Sequence, residues 1–388
     1  GGREMASSFL ALKPGTRLGA GRYRVQRELN RGGTAVVYGA RDNTTGEQVA
    51  LKVMNMKDGM MSMPLDAVKR EIENAASLRH QNIVQLIDVF KEGPMRLVMV
   101  WELVTGTDLL DLLNACGGRM TEARAAKYLW QILGAVQFLH ENGFCHRDLK
   151  PENIMVDSAT DQIKIIDFGL SKHLDSAVTL GVGTPDYMAP EMLKHGPGRA
   201  LGKYDAKSID IWSMGVMVYL MVAGVYPFED PRHPDNVTVT LQRVRDGRIR
   251  PLPGDVSPAC TDIIAKMLNK KPNRRITLPQ LHTHPWLQTH IAALANSTPN
   301  AKETLKHPEV VAKQGTMETK RSATLRRKAS SLLKGKASAG SAKVHPLDAA
   351  AGSAGAGAKP LDRLDSSRSG RSGKSVPGLG KLFAKLKK

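Results

Sequence analysis

The run His146–Asn153, HRDLKPEN, constrains this chain more than any other stretch. Asp148, Lys150 and Asn153 put a carboxylate, an ammonium and an amide within six positions. A carboxylate can accept a hydroxyl proton, an ammonium can neutralise a transferring phosphoryl group, and an amide oxygen can hold Mg²⁺. The set suits phosphoryl transfer, and every other segment can be given a job relative to it.

With 388 residues, 41% of them hydrophobic, there is room for one large domain or two with a buried core and a tail. The net charge of +19 is unevenly spread. From Thr289 onward 20 Lys and Arg stand against 6 Asp and Glu, while the first 288 residues carry 36 against 31. The basicity therefore belongs to the tail, and no specific nucleic-acid face is expected on the domain. Cys116, Cys145 and Cys260 lack CxxC spacing, so neither a disulfide framework nor a zinc site is indicated. A reducing compartment is expected, cytoplasmic and also open to the nucleus. No secretory signal opens the sequence, and Gly1 in place of Met suggests processing, a tag scar or a fragment. The longest nearly apolar run, Ile211–Tyr226, has sixteen residues and reads as a buried helix rather than a membrane span.

Alternating apolar residues in YRVQREL, AVVYGA and VALKVM, separated by NRGG and DNTTGEQ, predict three antiparallel strands from Tyr23. A helix over 64–79, strands over 82–90 and 95–101, and helices over 108–115 and 121–142 follow, with Thr121 as N-cap. After HRDLKPEN, short strands IMV and IKII flank a turn. The rest to Trp286 reads as mainly helical, with Gly/Pro breaks at 195–203 and 227–234. Past His290, Ser, Ala, Gly and Lys dominate, with too little apolar surface to offset chain entropy.

Further motifs carry chemistry. The turn LNRGGTAVV (Leu29, Asn30, Arg31, Gly32, Gly33, Thr34, Ala35, Val36 and Val37) lets backbone N–H groups approach phosphates; a plain hairpin is the alternative. Lys52 sits mid-strand among apolar neighbours. Its charge needs partners, here the α/β-phosphates of a nucleotide and a carboxylate from the following helix, Glu71 or Glu73. Asp167 in IKIIDFGL follows a buried strand and precedes a glycine, where it can chelate Mg²⁺ with Asn153 as the second protein ligand.

Together with GTPDYMAPE (183–191), SIDIW and NRRIT, these motifs resemble eukaryotic protein kinases from Leu29 to Trp286. Lys150 and GTPDYMAPE look like a serine/threonine kinase. HRDLKPENIM, YPFEDPRHPDN and RITLPQLHTHPWL are similar to the calcium/calmodulin-dependent group. YPFEDP with its following PDN is most similar to plant stress-responsive kinases related to the sucrose-nonfermenting kinase, second subgroup, although those carry an acidic C-terminal region and this chain a basic one. The resemblance implies an α+β, bilobal protein kinase fold: a small five-stranded antiparallel N-lobe with one helix, and a mainly helical C-lobe. It also sets expected bounds: a flexible lead over 1–16, the kinase domain over 17–290 (N-lobe 17–103, C-lobe 104–290), and a mostly disordered tail over 291–388.

The same resemblance implies an ATP-dependent kinase that signals by transferring the γ-phosphate to protein Ser/Thr, with ATP and Mg²⁺ as cofactors. Asp148 and Lys150 would be catalytic, and Asn153 and Asp167 would hold metal. Family spacing selects Glu71 as the partner of Lys52. Adenine would lie between Val37 and Ala50 above and Met155 below, bonding backbone at Glu102 and Val104, with Trp101 guarding the back of the pocket. Asn30, Gly32 and Ala35 occupy the family's glycine positions, and only Gly32 is retained; Asn30, tolerant of positive φ, is expected to hold the turn. A scaffold that had lost turnover is the competing reading, but it has no need of all of Lys52, Glu71, Asp148, Lys150, Asn153 and Asp167. Glu191 would pair with Arg275, and Asp210 would bind the backbone of the catalytic loop. Asp108 and Glu152 match positions that bind arginine upstream of the acceptor, so Arg-x-x-Ser/Thr substrates are expected; a solvated rim is the alternative. LRRKAS in the tail offers Ser330 as an acceptor, and Thr179 is the expected activation-segment phosphosite. The segment Arg321–Leu333 suits calmodulin binding, folding back on the active site, or a solvated linker. Leu379, Leu382, Phe383 and Leu386 share a helical face suited to an anionic membrane; a frayed tail is the alternative.

Overall fold

The structure, a computed structural model, describes residues 11–32, 35–56, 65–166, 185–193, 205–234, 236–297 and 320–332. Its N-terminal lobe is an antiparallel sheet of β1 (Arg17–Leu18), β2 (Tyr23–Arg31), β3 (Ala35–Asp42), β4 (Gln48–Asn55), β5 (Leu86–Glu92) and β6 (Arg96–Glu102), in the order β1-β2-β3-β4-β6-β5. Period-two alternation gives each face its role. Val49, Leu51 and Val53 point into one core with Tyr23, Val36 and Tyr38. Ala50 and Lys52 take the opposite face, beside Val37, Met99 and Trp101 in the strand register. Helix α1 (Leu65–Ser77) covers part of that second face through Val68, Ile72, Ala75 and Ala76.

The expected five strands are therefore six. The edge is supplied by β1, and the preceding residues are tied along the sheet, with Leu12 N donating to Tyr38 Oη at 3.0 Å and Gly15 N to Val25 O at 2.8 Å. From Leu12 onward the expected flexible lead is part of the lobe. A strand expected from Asn82 begins only at Leu86. Residues 82–84 instead join the second lobe, because Asn82 donates to Ile163 O and Gln131 Oε1, Ile165 N donates to Asn82 O, and Ile83 bridges Ile165.

The second lobe opens with the short helix α2 (Leu109–Ala115), capped by Asp108. It is built on α3 (Glu122–Glu141), capped by Thr121 as expected, and α4 (Ala206–Ala223), capped by Asp205. Helix α4 is long and apolar enough to cross a membrane, yet 89% of it is buried inside the protein, as a core helix. A small sheet of β7 (Gly106–Asp108), β8 (Ile154–Asp157) and β9 (Ile163–Ile165) lies where the chain enters this lobe. There Gly106 is required by close approach: a Cβ would sit 1.8 Å from Val156 O.

The expected domain end at 290 falls inside a helix, Pro285–Ser297. Beyond it, Lys320–Leu332 forms a further helix that packs on α1 and β5, in a stretch that composition alone assigned to the tail. Leu325 and Ala329 are buried with α1 residues, and Leu332 packs beside them.

Candidate active site

HRDLKPEN connects α3 to β8, and its shape is fixed from beneath. Asp210 of α4, with 0% exposure, accepts from the backbone N–H of His146 at 3.0 Å and of Arg147 at 2.7 Å, and its Oδ2 lies 2.7 Å from His140 Nε2. Arg147 is held at φ +65°, a conformation a side-chain-bearing residue keeps only when its surroundings enforce it. Leu149 anchors the loop in the core. Asp148 and Lys150 on either side of it are more exposed, with Lys150 Nζ 3.2 Å from Asp148 Oδ2. Asn153 Nδ2 donates to Asp148 O at 2.8 Å and more weakly to Asp148 Oδ2 at 3.3 Å. With the amide nitrogen so engaged, the side-chain oxygen Oδ1 is left as a donor of the kind a hard divalent cation prefers.

The sheet brings the other expected residues to one face. Val37 stands opposite Lys52, and Lys52 opposite Met99; Ala50 stands opposite Trp101. Glu102 and Val104 follow at the end of β6, and Met155 lies on β8 opposite Asp108. Glu71 is on α1, but its side chain lies outside the described residues, as do Gly33, Thr34 and Asp167. The expected phosphosite Thr179 and the Gly/Pro break at 195–203 lie outside them as well.

The glycine turn departs from expectation. Asn30 is a strand residue paired with Val37 and has no positive φ; the turn closes instead through Gly32 N donating to Ala35 O at 2.9 Å. The Ala35 methyl is buried in the cluster with Met54 and Ile72. A methyl there points into the lobe, which explains why the third glycine position tolerates it.

The buried pair joining Glu191 to Arg275 forms as expected, at 2.7 and 3.0 Å, with Arg275 also donating to Ser208 and lying over the Trp212 ring. Sequence reasoning did not single out Asn82, His140 or the Lys164–Glu102 ion pair that links β9 to β6. A polar residue inside an apolar stretch was their only signal, and it was used for Lys52 alone.

A family model described as protein kinase domain matches residues 23–287. The chain belongs to the protein kinase family. It is 36% identical to the serine/threonine-protein kinase SAPK9 of Oryza sativa subsp. japonica over 277 residues, 70% of this chain and 73% of that one. Identity of 36% extends to the serine/threonine-protein kinase SRK2I of Arabidopsis thaliana over 74% of this chain and 78% of that one. The rice CBL-interacting protein kinase 24 is 36% identical over 72% of this chain and 60% of its own. This kinase is thus an ATP-dependent serine/threonine kinase of the calcium/calmodulin-dependent and sucrose-nonfermenting-related group, acting on proteins with ATP and a divalent cation.

Proposed function

We propose that this kinase, acting in signalling, phosphorylates Ser or Thr hydroxyls preceded three residues earlier by arginine. Asp148 orients the hydroxyl and accepts its proton, while Lys150 neutralises charge on the transferred group. Lys52, with Glu71, and the backbone of 29–37 hold the nucleotide phosphates. Val37, Ala50 and Met155 enclose the adenine, which bonds backbone at Glu102 and Val104. Asn153 and Asp167 are the ligands for Mg²⁺, which when bound offsets phosphate charge.

One observation carries the arginine preference. Glu152 Oε2 is buried without a hydrogen-bond partner among the described residues, and burial pushes the Glu152 carboxyl above its ordinary range. Burial likewise raises Asp108. A half-desolvated carboxylate is costly until a cation reaches it, and a guanidinium offers donors in a matching fork. Glu152→Gln should lower kcat/KM on an Arg-x-x-Ser peptide by about 10- to 100-fold while sparing a peptide with Ala in place of Arg. Equal losses on both peptides would remove the reading. The sign with pH follows: because burial favours the neutral acid, arginine discrimination should fade on acidification at a higher pH than an ordinary glutamate would set. The ratio of the two peptides' kcat/KM against pH measures it.

Trp101, half-buried between β4 and β5, closes the rear of the adenine site in this reading. Trp101→Ala should sensitise the kinase to inhibitors that need a rear cavity; tight binding of one to the unaltered chain would overturn this. Arg147 Nε is buried with no hydrogen-bond partner among the described residues, which supports a phosphate on the activation segment, Thr179 first. Free Cys116, Cys145 and Cys260 support a cytoplasmic or nuclear setting. Calmodulin would need Leu325, which the docked helix buries, so only a released helix would offer it. The helical face expected from Leu379, Leu382, Phe383 and Leu386 lies outside the described residues.

A further inference from the structure

We propose that Ser330 is a phosphorylation site whose modification releases the helix Lys320–Leu332 from the N-terminal lobe. The helix docks through Leu325, 3% exposed, and Ala329, 0% exposed, against Val68, Ile72, Ala75 and Ala76 of α1. Lys328 Nζ anchors it 2.5 Å from Asp88 Oδ1 on β5, a carboxylate that Arg22 and Tyr23 also engage. At the end of this face Ser330 Oγ donates to Glu73 Oε1 at 3.4 Å.

A hydroxyl suits that place and a phosphate does not. Phosphoserine carries about −1.5 to −2 charges. It would confront the Glu73 carboxylate two residues from the C-terminal end of the helix, where the helix dipole also repels anions. Lys69 of α1 already lies 3.8 Å from Glu73. Arg326 and Arg327 ride on the same helix as Ser330, so any pair they make with the phosphate is equally available after release and does not favour docking. Lys328 is committed to Asp88.

The docked helix also hides its own recognition sequence. Leu325, Arg327 and Ser330 have the spacing expected of an arginine-directed acceptor, yet Leu325 is buried against α1. Modification therefore follows a transient release and then holds the released state. In the step, Ser330 Oγ bonds to the γ-phosphorus of ATP. The bond from that phosphorus to the oxygen bridging to the β-phosphate breaks, ADP leaves with the electron pair, and the hydroxyl proton passes to a carboxylate of the modifying kinase. When the chain modifies itself that carboxylate is Asp148, a detail that rests on the proposed function; the effect of the phosphate on docking does not.

The test uses the full chain with phosphoserine installed at 330 during translation, followed by hydrogen exchange. Two charges facing one at this range in high dielectric shift docking on the order of tenfold. Exchange over 320–332 and 65–77 should accelerate accordingly, phosphatase treatment should restore protection, and kcat on an added peptide should fall as α1 loses its cover. Glu73→Lys carrying the same phosphoserine should stay protected. Unchanged exchange in the phosphorylated chain, or equal loss in the Glu73→Lys chain, would overturn the switch. Separately, incubating unmodified chain with ATP and Mg²⁺ should place phosphate on Ser330. Failure of that arm alone would count against the arginine-directed reading and leave the switch standing.

Discussion

Asp148→Asn should reduce transfer of labelled γ-phosphate to an Arg-x-x-Ser peptide by about three orders of magnitude, the range a positioned general base supplies. The amide keeps the shape of the side chain but is a far weaker proton acceptor. Little else should change. The Lys150 contact at 3.2 Å is half-exposed and worth no more than about 1 kcal/mol, and the stronger Asn153 bond goes to the Asp148 backbone oxygen, which the substitution retains. ATP affinity and the thermal midpoint should therefore match the unaltered kinase. A variant keeping more than about a tenth of the activity would remove Asp148 from this role.

Arg275→Ala should strongly destabilise the C-terminal lobe. It would strand the Glu191 carboxylate, 6% exposed, and strip Ser208 and the Trp212 ring of a shared partner. Removing one member of a buried pair costs about 3–5 kcal/mol, and urea denaturation should show a loss of that size. Replacing both Glu191 and Arg275 by Leu should recover part of it, since no unpaired charge remains. A single variant within about 1 kcal/mol of the parent would show that the pair is not needed.

These two sites were legible through the order and spacing of the family's motifs: Asp148 by its place in HRDLKPEN, and Asp210, Glu191 and Arg275 by SIDIW, GTPDYMAPE and NRRIT following in turn. Lys52 was legible on physical grounds as well, as a charge among apolar neighbours that must find a partner. The docked helix was not. Its buried face is Ser322, Leu325, Ala329 and Leu332, a 3-4-3 spacing of the kind a helix requires, but two of the four are small and the segment around them is basic. Composition averages such a stripe away, and nothing local says that α1 offers a matching surface. The boundary at Leu86 failed for a related reason. Residues 82–85 read as the start of a strand because Ile83 and Val84 are β-branched, and it is the Asn82 amide, reaching Ile163 and Gln131, that diverts them.

The tight contact at Gly106 has a mechanical consequence. Thr105 O accepts from Ser158 N at 2.9 Å, and β7 begins one residue later with no room for a side chain, so everything from Thr105 onward rides with the second lobe. Glu102 is still in register with Val49 and rides with the first. Rotation between the lobes is taken up on this connection by Leu103 and Val104, and on the other crossing by the residues on either side of 82–84. The adenine contacts proposed at Glu102 and Val104 thus sit on the axle, where a given opening angle displaces atoms least. The purine can stay seated while the far ends of the lobes swing apart, so nucleotide exchange and phosphate release need not be the same motion.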